Sequence, residues 1–277
     1  MIARPPNYLA GNRLLPRPVL ASLGCLAVLA GINLGCAQKT AGPVVIYLDG
    51  AGWYSSAGSV ESGLRDAGYS GDFQTFSWSA YLGPAHDHLI NAGSKSIARR
   101  LARKIEKTRD DQPDAPINLL GLSAGTAVIL SALEQLKAGV QVDNVVLFSP
   151  SVSADHVLNK AMAHVKRNLY ATASPHDAII KGLPVNADGK GGPCAGKNGF
   201  RLPPGAETST LAAYRRVITV PWQPSFVGFG WNGSHTSVTT RRFVSSVIAP
   251  RVLMTEPYPL DRSVVDLTLL RPERQES

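Results

Sequence analysis

Short apolar runs recur along the chain and alternate with stretches in which apolar residues return every three or four positions. The runs at 44–48, 117–120, 144–148, 168–173 and 216–220 are largely or wholly apolar, and 73–78 alternates. A strand apolar on both sides needs cover on both sides, which points to a parallel sheet buried between helices. Between the runs, helical spacing predicts helices over 60–67, 94–109, 124–139, 154–164 and 238–248. In the second of these, Ile97, Leu101 and Ile105 form the buried stripe. Strands alternating with helices at this spacing give the α/β class, a mostly parallel sheet with helices on both faces. Two stretches break the rhythm. Residues 181–210 are rich in Gly and Pro with little periodicity, and are expected to be a long insertion covering a site. Residues 228–235 form an aromatic, glycine-rich loop.

The N-terminus has its own pattern. Arg4, Arg13 and Arg17 precede an apolar stretch over 19–34, and no acidic residue comes before Asp49. That is the layout of a secretory signal, too short for an ordinary membrane span. Leu34-Gly35-Cys36 resembles the end of a bacterial lipobox, with Cys36 then the lipidated residue, although Asn33 stands where an aliphatic residue is usual. Gly35-Cys36-Ala37 equally suits cleavage by ordinary signal peptidase. The expected organisation is a signal over 1–36, a tether over 37–42, one α/β domain over 43–250 with an insertion at about 181–210, and a C-terminal extension over 251–277. The expected location is the cell envelope or periplasm, with the protein membrane-anchored as a lipoprotein or secreted.

Composition narrows the field. A hydrophobic content of 44% and a charged content of 17% are globular values and exclude wholesale disorder. Loss of the signal takes three arginines, so the formal charge of +8 falls to about +5. Part of the surplus lies on the 94–109 helix, read as a solvated face, with anionic lipid or envelope polymer as the alternative contact. Nucleic acid is excluded by the absence of stacking aromatics in a basic groove. Beyond the signal only Cys194 remains, so no disulfide is expected within the body, and the thiol reads as a bystander.

The chemistry gathers at the ends of the apolar runs. Gly121-Leu122-Ser123-Ala124-Gly125 follows the 117–120 run and opens a helical stretch, the strand–turn–helix context of a nucleophile elbow. Asp177 follows the 168–173 run, and His235 closes the 228–235 loop. Residues at the carboxyl ends of parallel strands share one edge of the sheet, where ligands bind in such folds. A serine hydroxyl becomes a useful nucleophile when an imidazole takes its proton and a carboxylate holds that imidazole.

With these residues in this order, the chain resembles the α/β-hydrolase superfamily, and within it the serine esterases and lipases, over about 43–250. The resemblance implies Ser123 as nucleophile, His235 as general base and Asp177 as orienting acid, with Asp155 as the competing acid. It implies oxyanion donors at the Ala51 and Ala124 amides. Asp49 stands where the family often has histidine, just before Gly50. Trp53, Tyr54 and Trp231 are expected to line the substrate pocket, with Tyr81 and Phe229 nearby. His86-Asp87-His88 invites a metal reading, but nothing completes a ligand set, and a polar loop along the cleft is preferred. No metal and no organic cofactor are expected. The expected partner is a small-molecule or lipid ester. The alternatives are an acyltransferase, thioesterase or amidase with the same triad, or a non-catalytic envelope binding lipoprotein.

Overall fold

A computed structural model describes residues 42–52, 55–79, 84–88, 92–253 and 262–265. The expected signal, the tether as far as residue 41, Cys36, Trp53, Tyr54 and Tyr81 lie outside the described residues. No helix among the described residues is long and apolar enough to cross a membrane.

The strands are β1 (Val44–Leu48), β2 (Asp72–Thr75), β3 (Ile117–Leu122), β4 (Asn144–Phe148), β5 (Leu169–Ala173), β6 (Val217–Pro221) and β7 (Arg262–Ser263). They form one sheet in the order β2-β1-β3-β4-β5-β6-β7. The first six run parallel, and β7 pairs antiparallel with β6 at the edge. Every residue of β1, β3, β4 and β5 is buried, the reason these runs are apolar on both sides.

Alternate residues feed two cores. Val44, Ile46, Leu119, Val145 and Leu147 face one layer with α3 (Lys95–Asp111), α4 (Gly125–Leu133) and α5 (Asn159–Ala163). Val45, Tyr47, Leu120, Val146 and Phe148 face the other, with α1 (Ala57–Asp66) and the chain around α9 (Arg241–Phe243) and α10 (Ala249–Leu253). On α3 the buried face is Ala98, Leu101, Ala102, Ile105 and Thr108. Its cationic residues keep mainly to the solvent side, with Arg100 over the Phe76 ring.

Three expectations need correction. The 154–164 helix shrinks to α5, because residues before it are held otherwise: Ser153 bridges to Cys194, and the Leu158 amide donates to the Tyr214 hydroxyl at 3.1 Å. The 238–248 helix breaks into a 3-10 turn, α9, a π-turn at Val244–Ile248 and then α10. The 181–210 segment is not structureless: it contains the end of α6 (Ala178–Gly182), all of α7 (Ala195–Asn198) and the start of α8 (Thr208–Tyr214).

Candidate active site

Ser123 sits between β3 and α4 at φ 52°, in the left-handed region that serine rarely adopts. Such a conformation costs on the order of 1–3 kcal/mol and survives where the surroundings dictate it. Here they do. The Ser123 amide donates to the Phe148 carbonyl at 2.9 Å, and the Thr126 hydroxyl donates to the Ser123 carbonyl. A Cβ on Gly121 would lie 2.6 Å from Ile129 Cδ1, and one on Gly125 would lie 2.5 Å from the Asp49 carbonyl oxygen. Gly125 is therefore required by the close approach of the elbow to the β1 turn, whereas at Gly121 only the movable end of the Ile129 side chain stands in the way.

Asp177 is fully buried and caps α6. One carboxylate oxygen accepts the Ile180 amide at 3.0 Å, and the other accepts His235 Nδ1–H at 2.7 Å. With Nδ1 carrying the proton, Nε2 of a neutral ring keeps its lone pair. Ser123 and His235 line one cavity of about 350 Å³, and among the described residues their side chains share no hydrogen bond. Such bonds commonly tighten only with substrate in place.

Trp231 does not line this cavity, contrary to expectation. Its ring is fully buried, stacked at 5.6 Å on Phe226 and tilted at 4.7 Å against Phe243. Its carbonyl accepts the Trp222 indole N–H at 3.0 Å. It anchors the loop that carries His235, an aromatic core role that a glycine-rich loop sequence does not distinguish from a pocket role.

The cavity wall is mainly apolar. Leu122, Ile179, Leu183, Pro184 and Ala85 form most of it, and His88 and Thr236 join Ser123 and His235 at the polar side. Leu183 and Pro184 come from the 181–210 segment, so that segment covers part of the site. His88 donates from Nε2 to the Val185 carbonyl at 2.9 Å, tying the 84–88 segment to the same cover. Among the described residues no Lys, Arg, Asp or Glu lines the cavity, and no group of three metal-ligating side chains occurs.

Gly50 and Ala51 also reach the cavity, whereas Ala124 is fully buried beneath the elbow. Neither the Ala51 nor the Ala124 amide meets an acceptor among the described residues. Asp155 stands apart: it is half exposed and faces Arg201 at 3.5 Å. Cys194 is buried with its thiol donating to the Pro150 carbonyl at 2.9 Å, and burial pushes its pKa up to about 12. Sequence reasoning set His88 in a polar loop along the cleft and Leu183 in the covering insertion, but missed Ile179 as a lining residue, since nothing local to it signals a site.

Residues 54–187 match the family model described as alpha/beta hydrolase. No curated protein matches the chain. Among solved structures, the chain is similar to a Trichoderma reesei cutinase bound to a phosphonate inhibitor, at 18% identity and a TM-score of 0.40, over 53% of this chain and 71% of that one. It is similar to a Pyrococcus furiosus esterase at 13% identity and a TM-score of 0.41, over 72% of this chain and 76% of that one. It is also similar to Aspergillus fumigatus lipase B at 12% identity and a TM-score of 0.46, over 80% of this chain and 54% of that one. By its six parallel strands, its strand–turn–helix elbow and the match over 54–187, the chain has an α/β-hydrolase fold.

Proposed function

We propose that the chain is a serine hydrolase that cleaves carboxylic esters through an acyl-enzyme on Ser123, with His235 as general base and Asp177 as orienting acid. The observation that carries this reading is the 2.7 Å bond from His235 to Asp177 at a cavity that also holds a serine in a strained turn. As Ser123 Oγ attacks the ester carbonyl carbon, its proton passes to His235 Nε2 and the carbonyl π pair moves onto oxygen. The Ala51 and Ala124 amides are the donors available to that oxyanion, and such donors act where charge develops. Collapse of the tetrahedral intermediate breaks the bond to the leaving alcohol, which takes the proton from Nε2. Water then attacks acyl-Ser123 with the same proton transfers, releasing the acid and restoring the serine.

The apolar wall supports an alkyl or aryl acyl group, and the lack of ionic lining residues supports a neutral one. The N-terminal pattern supports export, either as a lipoprotein through Cys36 or as a secreted protein. The test is labelling of the purified chain lacking 1–36 with a fluorophosphonate probe. Labelling that vanishes in Ser123→Ala and His235→Ala is expected. A folded protein that never labels would overturn the mechanism and favour a binding role.

A further inference from the structure

The turn after β1 is held from two sides by carboxylates that the reaction above does not use. On one side, Asp49 accepts the Ser56 amide at 2.7 Å, the Ser56 hydroxyl at 2.9 Å and the Ser55 hydroxyl at 2.9 Å. The Asp49 carbonyl accepts the Trp78 indole N–H at 2.8 Å. On the other side stands Asp87, fully buried and 35 residues downstream of the turn. Its Oδ2 accepts the Gly52 amide at 3.1 Å and also the Ser79 hydroxyl. The turn lies directly on the elbow: a Cβ on Gly50 would come within 3.3 Å of Ser123 Cβ.

A buried carboxylate beside a site where negative charge must develop opposes that charge, so it is tolerated only where its own charge is satisfied by donors. Asp87 meets that condition through the Gly52 amide and the Ser79 hydroxyl, and the bond to Gly52 fixes the peptide plane next to Ala51. Without it the turn keeps its anchor at Asp49 but loses the one beyond Ala51. The next residue, His88, binds the Val185 carbonyl of the cover. One short segment therefore steadies both the turn and the acyl wall.

We propose that Asp87 is a positioning residue, which holds the Gly52 amide so that the Ala51 N–H stays at the cavity wall as an oxyanion donor. The inference rests on the esterase reading above. Loss of a whole oxyanion donor costs about a hundredfold to a thousandfold in kcat, so displacement of one is expected to cost roughly tenfold to a hundredfold.

The test compares Asp87→Ala, Asp87→Asn and Ser123→Ala in the chain lacking 1–36, using a p-nitrophenyl ester for turnover and the fluorophosphonate for labelling. Asp87→Ala is expected to lower kcat by roughly tenfold to a hundredfold with KM within about twofold. The pH profile of kcat/KM, which reports the base, should keep its midpoint. Asp87→Asn retains an oxygen that can accept the Gly52 amide, and is expected to recover kcat to within about fivefold of the parent. It also keeps the test usable if Asp87→Ala fails to fold. A parent that labels at Ser123 while Asp87→Ala turns over unchanged, or while Asp87→Asn is as impaired as a folded Asp87→Ala, overturns this inference alone. A parent that never labels removes the esterase reading and this inference with it.

Discussion

His235 and His156 are both buried or nearly so, and each binds an aspartate through Nδ1, at 2.7 Å to Asp177 and 3.0 Å to Asp188. Their second ring nitrogens differ. His235 Nε2 belongs to a side chain that lines the cavity beside Ser123, whereas His156 Nε2 meets Glu134 at 3.1 Å. Two carboxylate partners need two N–H donors, so His156 works as an imidazolium, while one carboxylate partner leaves His235 a nitrogen able to accept a proton. Burial alone would lower the pKa of His156, but the hydrogen bonds and charges of Asp188 and Glu134 outweigh it and raise the value. Burial would raise Asp188, yet His156 and the amides of Lys190 and Ser153 bring it below the usual range. In the proposed mechanism the same pair of residue types is a proton-transfer device at one place, and it is a staple at the other, between the end of α4 and the cover segment.

The sharpest break in the comparison comes from the first pair. Ser123→Ala and His235→Ala are each expected to lower kcat/KM by about four to six orders of magnitude, and Asp177→Asn by about four, in ester turnover assays. The loop that carries His235 should be nearly as sensitive to its anchor. Trp231→Ala removes a fully buried ring stacked on Phe226 and is expected to cost about 3–5 kcal/mol in denaturant unfolding. Turnover should fall with it as His235 loses its placement.

The staple should respond in stability and not in chemistry. His156→Ala is expected to cost about 1.5–3 kcal/mol, the range for hydrogen bonds to charged groups, with kcat/KM changing less than about threefold. The pH dependence sharpens the contrast. His156 has a raised folded pKa, so its contribution is complete below the unfolded value of about 6.5 and is lost as pH rises through the folded value. Asp188 is depressed, so its contribution is complete above about 3.9 and is lost as pH falls through its folded value. The stability gap between the parent and His156→Ala should therefore be widest between about pH 4 and 6.5 and narrow on the alkaline side. Melting curves across that range check it, and a gap that widens with rising pH would remove the imidazolium from the account.

What was legible in the sequence follows from how local each cause is. The strands were readable because β1, β3, β4 and β5 are covered on both sides, which leaves mainly apolar runs with Asn118, Asn144 and Thr172 as the polar exceptions. Ser123, Asp177 and His235 were readable as candidates because each closes a run or a glycine-rich loop at the same sheet edge. The loop of His86, Asp87 and His88 was readable along the cleft, but the partners of Asp87 and His88 were not, since Gly52 and Val185 lie 35 and 97 residues away and leave no mark in the neighbouring residues. Trp231 misled because an aromatic among glycines looks the same whether it faces a cavity or plugs a core. The 154–164 helix was overread because its apolar spacing says nothing of His156, whose ring is drawn to Glu134 and Asp188 and holds the chain before α5 out of helical form.

The smallest effect is expected at Asp155, and it bears most directly on which carboxylate serves His235. Asp155 follows the strand before the one that leads to Asp177, so its place in the chain alone leaves it a competitor. In the folded protein it is half exposed, and its Arg201 partner is 3.5 Å away and equally exposed. A pair so wet contributes roughly 0–1 kcal/mol, because each side chain keeps most of its hydration and gains little from the other. Asp155→Asn should therefore leave both melting temperature and ester turnover near the parent values, in the same assays in which Asp177→Asn is nearly inactive. A hundredfold loss in Asp155→Asn beside an active Asp177→Asn would transfer the role of acid to Asp155. The 2.7 Å bond from His235 to Asp177 would then be a feature of the resting protein only.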